Sequence, residues 1–84
     1  MYKVLLERGA EKDMNRLPKD VFGRVINAIQ ALADSPRPPG SKKLVGSPPG
    51  WRIRIGDYRV IYDIDDRAES LRILRVRHRR EVYR

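Results

Sequence analysis

Cysteine is absent from this chain of 84 residues. Neither a disulfide framework nor thiol chemistry is open to it, and a small domain without such staples fits a reducing compartment. Histidine occurs once, at His78. A His/Cys metal cluster is thereby excluded, and a carboxylate-rich metal site is a poor fit to the rest. No apolar run approaches the roughly 18 residues of a membrane span. The opening Met1-Tyr2-Lys3-Val4-Leu5-Leu6 is too short and too soon charged for a signal peptide. No Gly-rich phosphate loop follows a strand, and no Ser-His-Asp set is evident. The expectation is a soluble cytoplasmic protein, a single domain over residues 1–84, with no metal, cofactor or membrane partner.

Lysine is also scarce for so basic a chain. The net charge is +8 and the pI about 10.4, yet there are 5 Lys against 14 Arg, and no Lys follows Lys43. A positive balance of this size points to nucleic acid or another anionic partner, and says nothing of the fold. Arginine offers a planar fork that grips phosphate bidentately and stacks on bases. A G+C-rich genome, which favours Arg codons, is the plainer partial explanation.

Trp51 to Tyr62, W-R-I-R-I-G-D-Y-R-V-I-Y, reads as a β-hairpin. Gly at the first central position of a Gly56-Asp57 turn suits type II′. The register then sets Trp51 opposite Tyr62, Arg52 opposite Ile61, Ile53 opposite Val60, Arg54 opposite Arg59 and Ile55 opposite Tyr58. Side chains alternate between the faces of a sheet. One face carries Trp51, Ile53, Ile55, Tyr58, Val60 and Tyr62, and belongs to a core. The other carries Arg52, Arg54, Arg59 and Ile61. Like charges directly opposed destabilise a strand pair, so the Arg54/Arg59 pairing calls for an anion from outside the chain.

The remaining segments supply the frame. Tyr2 to Glu7 alternates and reads as a first strand. A short helix runs from Gly9 and Ala10 to about Arg16, with Ala10, Met14 and Leu17 on one face. Pro18 restarts the chain into a second helix ending near Ala33, whose stripe of Val21, Phe22, Val25, Ile26, Ile29, Leu32 and Ala33 is core-forming. Ser35 to Gly50 holds five of the six prolines and three of the six glycines, and reads as a long crossing loop anchored by Leu44 and Val45. Its Lys42 and Lys43 either touch a phosphate or form a solvated basic pair. Asp65 to Glu69 is a polar turn, a better reading of Asp63, Asp65 and Asp66 than a cation site. Ser70 to His78 is a last strand. Strict alternation puts Arg72, Leu74 and Val76 on one side and Leu71, Ile73, Arg75 and Arg77 on the other. The order β-α-α-β-β-β, helices first and an antiparallel sheet after, belongs to the α+β class. Both helices are expected on the apolar face of the sheet, which leaves the basic face open.

Three sets of groups converge in this layout. They are Arg52, Arg54 and Arg59 on the hairpin, Arg75, Arg77 and Arg79 at the end of the last strand, and Tyr83 near the C-terminus. Guanidinium groups with nearby aromatics suit single-stranded nucleic acid. His78 is a candidate general acid or base, or a structural residue.

G-W-R-I-R-I-G-D-Y-R-V-I-Y-D-I, followed by I-L-R-V-R-H-R-R-E-V-Y-R, resembles the RelE-like toxins of bacterial and archaeal toxin–antitoxin systems. Lys42 to Gly46, K-K-L-V-G, and the two helices fit as well, so the resemblance covers essentially the whole chain. It implies a small α+β endoribonuclease that enters the ribosomal A site, cuts mRNA there and is held inactive by a cognate antitoxin in a hetero-oligomer. In the family the 2′-hydroxyl attacks the adjacent phosphate and the 5′-oxygen leaves. Arg52 and Arg54 match the family's basic pair, Arg59 the arginine of its Y-R-(V/L)-(V/I)-Y strand, Arg79 the arginine near the end of its last strand, and Tyr83 its C-terminal tyrosine. Arg59 and Arg79 suit charge stabilisation on the non-bridging oxygens. Tyr83 suits stacking on the base after the cut or orienting the 2′-hydroxyl. The best-known bacterial members have lysines where this chain has Arg52 and Arg54, and arginine does not give up its proton. Either Arg54 acts by electrostatics and positioning alone, or Tyr83, His78 or the ribosome supplies the base. The alternatives of another kind are a ParE-like inhibitor of DNA gyrase and an inactive RNA-binding relative.

Overall fold

The computed structural model describes residues 1–46 and 50–82. Strand β1 (Lys3–Leu6) leads into helices α1 (Arg8–Asn15) and α2 (Lys19–Leu32). Strands β2 (Lys42–Leu44), β3 (Gly50–Ile55), β4 (Tyr58–Asp65) and β5 (Ser70–His78) follow, and α3 (Arg79–Val82) closes the described chain. The five strands form one sheet in the order β1-β5-β4-β3-β2. β1 runs parallel to β5, whereas the other pairs are antiparallel, so the α+β sheet is mixed.

The hairpin of β3 and β4 has the expected register at all five pairs, including Arg54 opposite Arg59. Gly56 has φ +58, and Asp57 is not among the described residues with positive φ, as a type II′ turn requires. A side chain there would also meet the end of the flexible Arg24. A Cβ on Gly56 would lie 3.2 Å from Arg24 Nη2, which α2 brings over the turn.

Burial follows the helical and strand periods. α1 contributes Ala10 and Met14, α2 contributes Val25, Ile29 and Leu32, and the sheet contributes Ile53, Val60, Tyr62, Leu71, Ile73 and Val76. Phe22 departs from the expected stripe. It is 41% exposed and borders a groove between the helices with Leu6, Met14 and Ile26.

The last strand departs from strict alternation. Ile61 pairs with Arg75 but Tyr62 pairs with Ile73, so Leu74 is an extra residue, a β-bulge. The bulge resets the period. Leu71, Ile73 and Val76 all reach the core, and Arg75 and Arg77 stand on the opposite side with Arg72.

The crossing segment differs from a plain loop, since Lys42–Leu44 pairs with Gly50–Arg52 as an edge strand. Val45 is fully exposed and anchors nothing. The anchors are polar and lie earlier. The buried Tyr62 donates its hydroxyl to the Pro36 carbonyl at 2.7 Å. Arg37 forks onto the Asp66 carboxylate at 2.8 and 3.2 Å, and its guanidinium lies 5.2 Å from the centre of the Trp51 ring. Tyr2 donates its hydroxyl to the same carboxylate at 2.7 Å, so Asp66 is engaged in this clamp. Tyr62→Phe is expected to cost about 1–2 kcal/mol, the usual cost of leaving a buried acceptor without its donor. Urea unfolding measures it, and a midpoint equal to wild type would show that water replaces the hydroxyl.

Candidate functional site

Antiparallel pairing lines three arginines across adjacent strands: Arg54 on β3, Arg59 on β4 and Arg77 on β5. Directly opposed side chains have Cβ atoms about 5 Å apart, so each neighbour raises the electrostatic cost of the next. Arg59 occupies the middle. It was expected on an open face, yet only 4% of it is exposed. α3 packs on β4 and β5, a contact that the alternation of β4 does not reveal.

The Arg59 guanidinium is only partly satisfied. Nη1 donates to the Tyr58 carbonyl at 3.3 Å, and Nε has no hydrogen-bond partner among the described residues. A buried cation with a donor left unpaired costs more than a neutral donor would. Such a group fits a site completed by an anion.

Arg59 opens on a cleft of about 500 Å³ lined by Arg54, Gly56, Asp57, Arg59, Arg79 and Arg80. The sequence explains the convergence. The tight Gly56-Asp57 turn ends the hairpin beside the end of β5, and the Arg79 N–H donates to the Asp57 carbonyl at 2.7 Å. That bond starts α3 against the turn and brings Arg79 and Arg80 into the cleft. Four guanidinium groups around one hollow can take the non-bridging oxygens of a phosphodiester and the charge that grows on them.

Of the other candidates, Arg52 and Lys42 do not line this cleft. They are paired across β2 and β3 and line a separate hollow of about 480 Å³ with Ala28, Leu32, Pro39 and Ile53, which Arg54 also borders. Lys43 is exposed opposite Trp51. His78 faces away from the cleft, towards the helices. Its ring meets Tyr58 edge-on at 5.2 Å, its Nδ1 accepts the Arg80 N–H at 3.3 Å, and it lines a small hollow with Asp13, Arg16 and Leu17. Arg75 is tied to Asp13 and does not line the cleft. Tyr83 lies outside the described residues.

Asp13 and Arg80 are absent from the sequence-based candidates. Asp13 is detectable in principle, because it falls beside Ala10, Met14 and Leu17 on the buried face of α1, and a buried carboxylate must be paired. Its side chain is 9% exposed. Burial pushes its pKa up, but hydrogen bonds from Arg75 and the Val76 N–H, with the charges of Arg75 and Arg77, outweigh that and leave it lowered.

Residues 4–83 match the family described as the ParE toxin of type II toxin–antitoxin systems. Toxin RelG of Mycobacterium tuberculosis is 33% identical over 87 residues, covering 99% of this chain and 97% of that protein. The archaeal RelE–RelB complex of Pyrococcus horikoshii has a chain that superposes with a TM-score of 0.82 at 30% identity, covering 93% of this chain and 94% of that one. The isolated E. coli RelE toxin superposes with a TM-score of 0.80 at 25% identity, covering 99% of this chain and 92% of that one.

Proposed function

The chain belongs to the RelE/ParE superfamily of toxins from type II toxin–antitoxin systems, and from that premise we propose that its arginine cleft cuts mRNA on the ribosome. The observation that carries this reading is Arg59, a buried guanidinium with an unpartnered Nε at the wall of a cleft shared with Arg54, Arg79 and Arg80. In the proposed reaction the ribose 2′-hydroxyl attacks the adjacent phosphate and the 5′-oxygen leaves. Arg59 and Arg79 hold the non-bridging oxygens as negative charge builds on them, and Arg54 steers the phosphate into place. Arginine does not serve as the base. Because His78 faces the helices, the base in this scheme is Tyr83 or a group of the ribosome.

A ParE-like reading, inhibition of DNA gyrase without cleavage, is favoured by the description of the matching family. Primer extension on mRNA bound to translating ribosomes, run beside a gyrase supercoiling assay, separates the two. The expected result is new 5′ ends in ribosome-bound mRNA and undisturbed supercoiling. Blocked supercoiling without cuts would replace the nuclease by a gyrase inhibitor. Salt-dependent RNA binding with neither effect would leave an inactive relative.

The P. horikoshii relative was solved as a complex with RelB. By the same logic this chain has a cognate antitoxin that covers or distorts the arginine cleft, in the cytoplasm where ribosome and mRNA are met. A bound antitoxin that left Arg59 accessible to RNA and geometrically unchanged would count against masking.

A further inference from the structure

The pairing of β4 with β5 ends at Tyr58 opposite His78, so the backbone amides that follow leave the ladder. They open α3, and the first amides of a helix have no acceptor within it. Two of them find acceptors elsewhere. The Arg79 N–H donates to the Asp57 carbonyl at 2.7 Å, and the Arg80 N–H donates to His78 Nδ1 at 3.3 Å. His78 stands immediately before α3, at the N-cap position. Its ring nitrogen serves the second helical amide as a serine or aspartate oxygen usually does. An accepting Nδ1 carries no proton, so the ring proton sits on Nε2. The Tyr58 ring meets the imidazole edge-on at 5.2 Å and 87°, from the paired position on β4. A helix of four residues is too short to hold itself, so contacts at its start decide where its arginines point. Arg79 and Arg80 line the arginine cleft, and they repel Arg54 and Arg59 across it.

We propose that His78 is a positioning residue of the arginine cleft: it caps α3 through Nδ1 and so keeps Arg79 and Arg80 beside Arg54 and Arg59. The proposal rests on the reading that this cleft binds RNA. The single histidine then acts on the substrate through the start of a helix, from the side of the sheet away from the cleft, and not as an acid or base.

The test crosses two substitutions. His78→Asn gives up the ring but keeps an acceptor that caps well, whereas His78→Phe keeps a ring against Tyr58 but has no acceptor. Amide hydrogen exchange at Arg79, followed by NMR on the full chain, reports whether α3 stays on the turn. His78→Phe is expected to exchange about fivefold faster, the equivalent of one lost cap, and His78→Asn at the wild-type rate. Affinity for a short single-stranded RNA oligonucleotide, read by fluorescence anisotropy, is expected to fall about threefold to fivefold in His78→Phe and to hold in His78→Asn. With Arg79→Gln and Arg80→Gln already in place, adding His78→Phe changes the affinity no further. Thermal melts show that each variant is folded. An unchanged Arg79 rate in folded His78→Phe overturns the proposal. So does His78→Asn exchanging as fast as His78→Phe, which would make the ring on Tyr58, and not the acceptor, the part that matters. RNA affinity at the wild-type level in His78→Phe, with Arg79 exchanging faster, would separate the cap from the cleft and overturn it too. Wild type that binds without salt dependence brings down the RNA reading instead, and the Arg79 rates then still decide whether His78 caps α3.

Discussion

Arg59→Ala is expected to slow single-turnover cleavage of ribosome-bound mRNA by about a thousandfold, the upper range for removing one donor aimed at developing negative charge. The size follows from place more than from charge. Arg59 is buried, so its field is weakly screened and its donors need no reorganisation when the phosphorane forms. Arg54, exposed on the neighbouring strand, works in a wetter setting, and Arg54→Ala is expected to cost about tenfold. Arg59→Lys keeps the charge but loses the planar fork, and falls between the two. The stability effect has the opposite character. The wild-type side chain holds a buried charge with an unpartnered Nε, so the alanine variant is expected to melt within a few degrees of wild type. Catalysis lost without stability lost distinguishes a reacting-site cation from a structural one. Growth arrest that persisted with Arg59→Ala would move the active site elsewhere on the surface.

The parts of this site that were legible in the sequence depend on short range. A two-residue turn at Gly56-Asp57 determines every pair of the hairpin, and so placed Arg54 opposite Arg59 without any knowledge of the rest. The stripe Val25, Ile29, Leu32 likewise follows from helical spacing alone. What escaped depends on neighbours distant in the chain. Leu74 is as apolar as its alternation demands, so nothing local marks it as a bulge, yet it decides that Arg75 and Arg77 leave the core side while Val76 enters it. Lys42-Lys43-Leu44 lacks strand periodicity and becomes a strand because the edge of β3 offers it hydrogen bonds. The pattern of β4 tells which way Arg59 points and not how deep it lies, since depth depends on elements outside the strand. For the single His the sequence leaves both an acid–base and a structural role open, and its pairing with Tyr58 turns it towards the helices.

The same long-range dependence makes Asp13 a residue whose loss should damage the fold. Asp13→Ala removes the acceptor of the Val76 N–H and of two Arg75 donors at once. The Arg75 side chain is 42% exposed and can turn to water, whereas the Val76 amide is left at a covered edge. The expected cost at neutral pH is about 3 kcal/mol, which for a domain of this size lowers the melting temperature by roughly 15 °C. The effect carries a pH signature. Burial alone would raise the Asp13 pKa, but its bonds to Arg75 and Val76 and the nearby charges of Arg75 and Arg77 leave it below the ordinary carboxylate value of 3.8. A carboxyl whose folded pKa is depressed contributes stability that is fully present above its unfolded value. That contribution is lost as pH falls through the folded one. The gap between wild type and Asp13→Ala should therefore be constant from neutral pH down to about 5 and shrink below about 4. Asp66, also held below its ordinary value by Arg37 and Tyr2, titrates in both proteins and cancels from the difference. Thermal melts of the pair across this range measure the gap. A gap that stayed constant into strong acid would mean that Asp13 stabilises by filling space beside β5, and not through its charge.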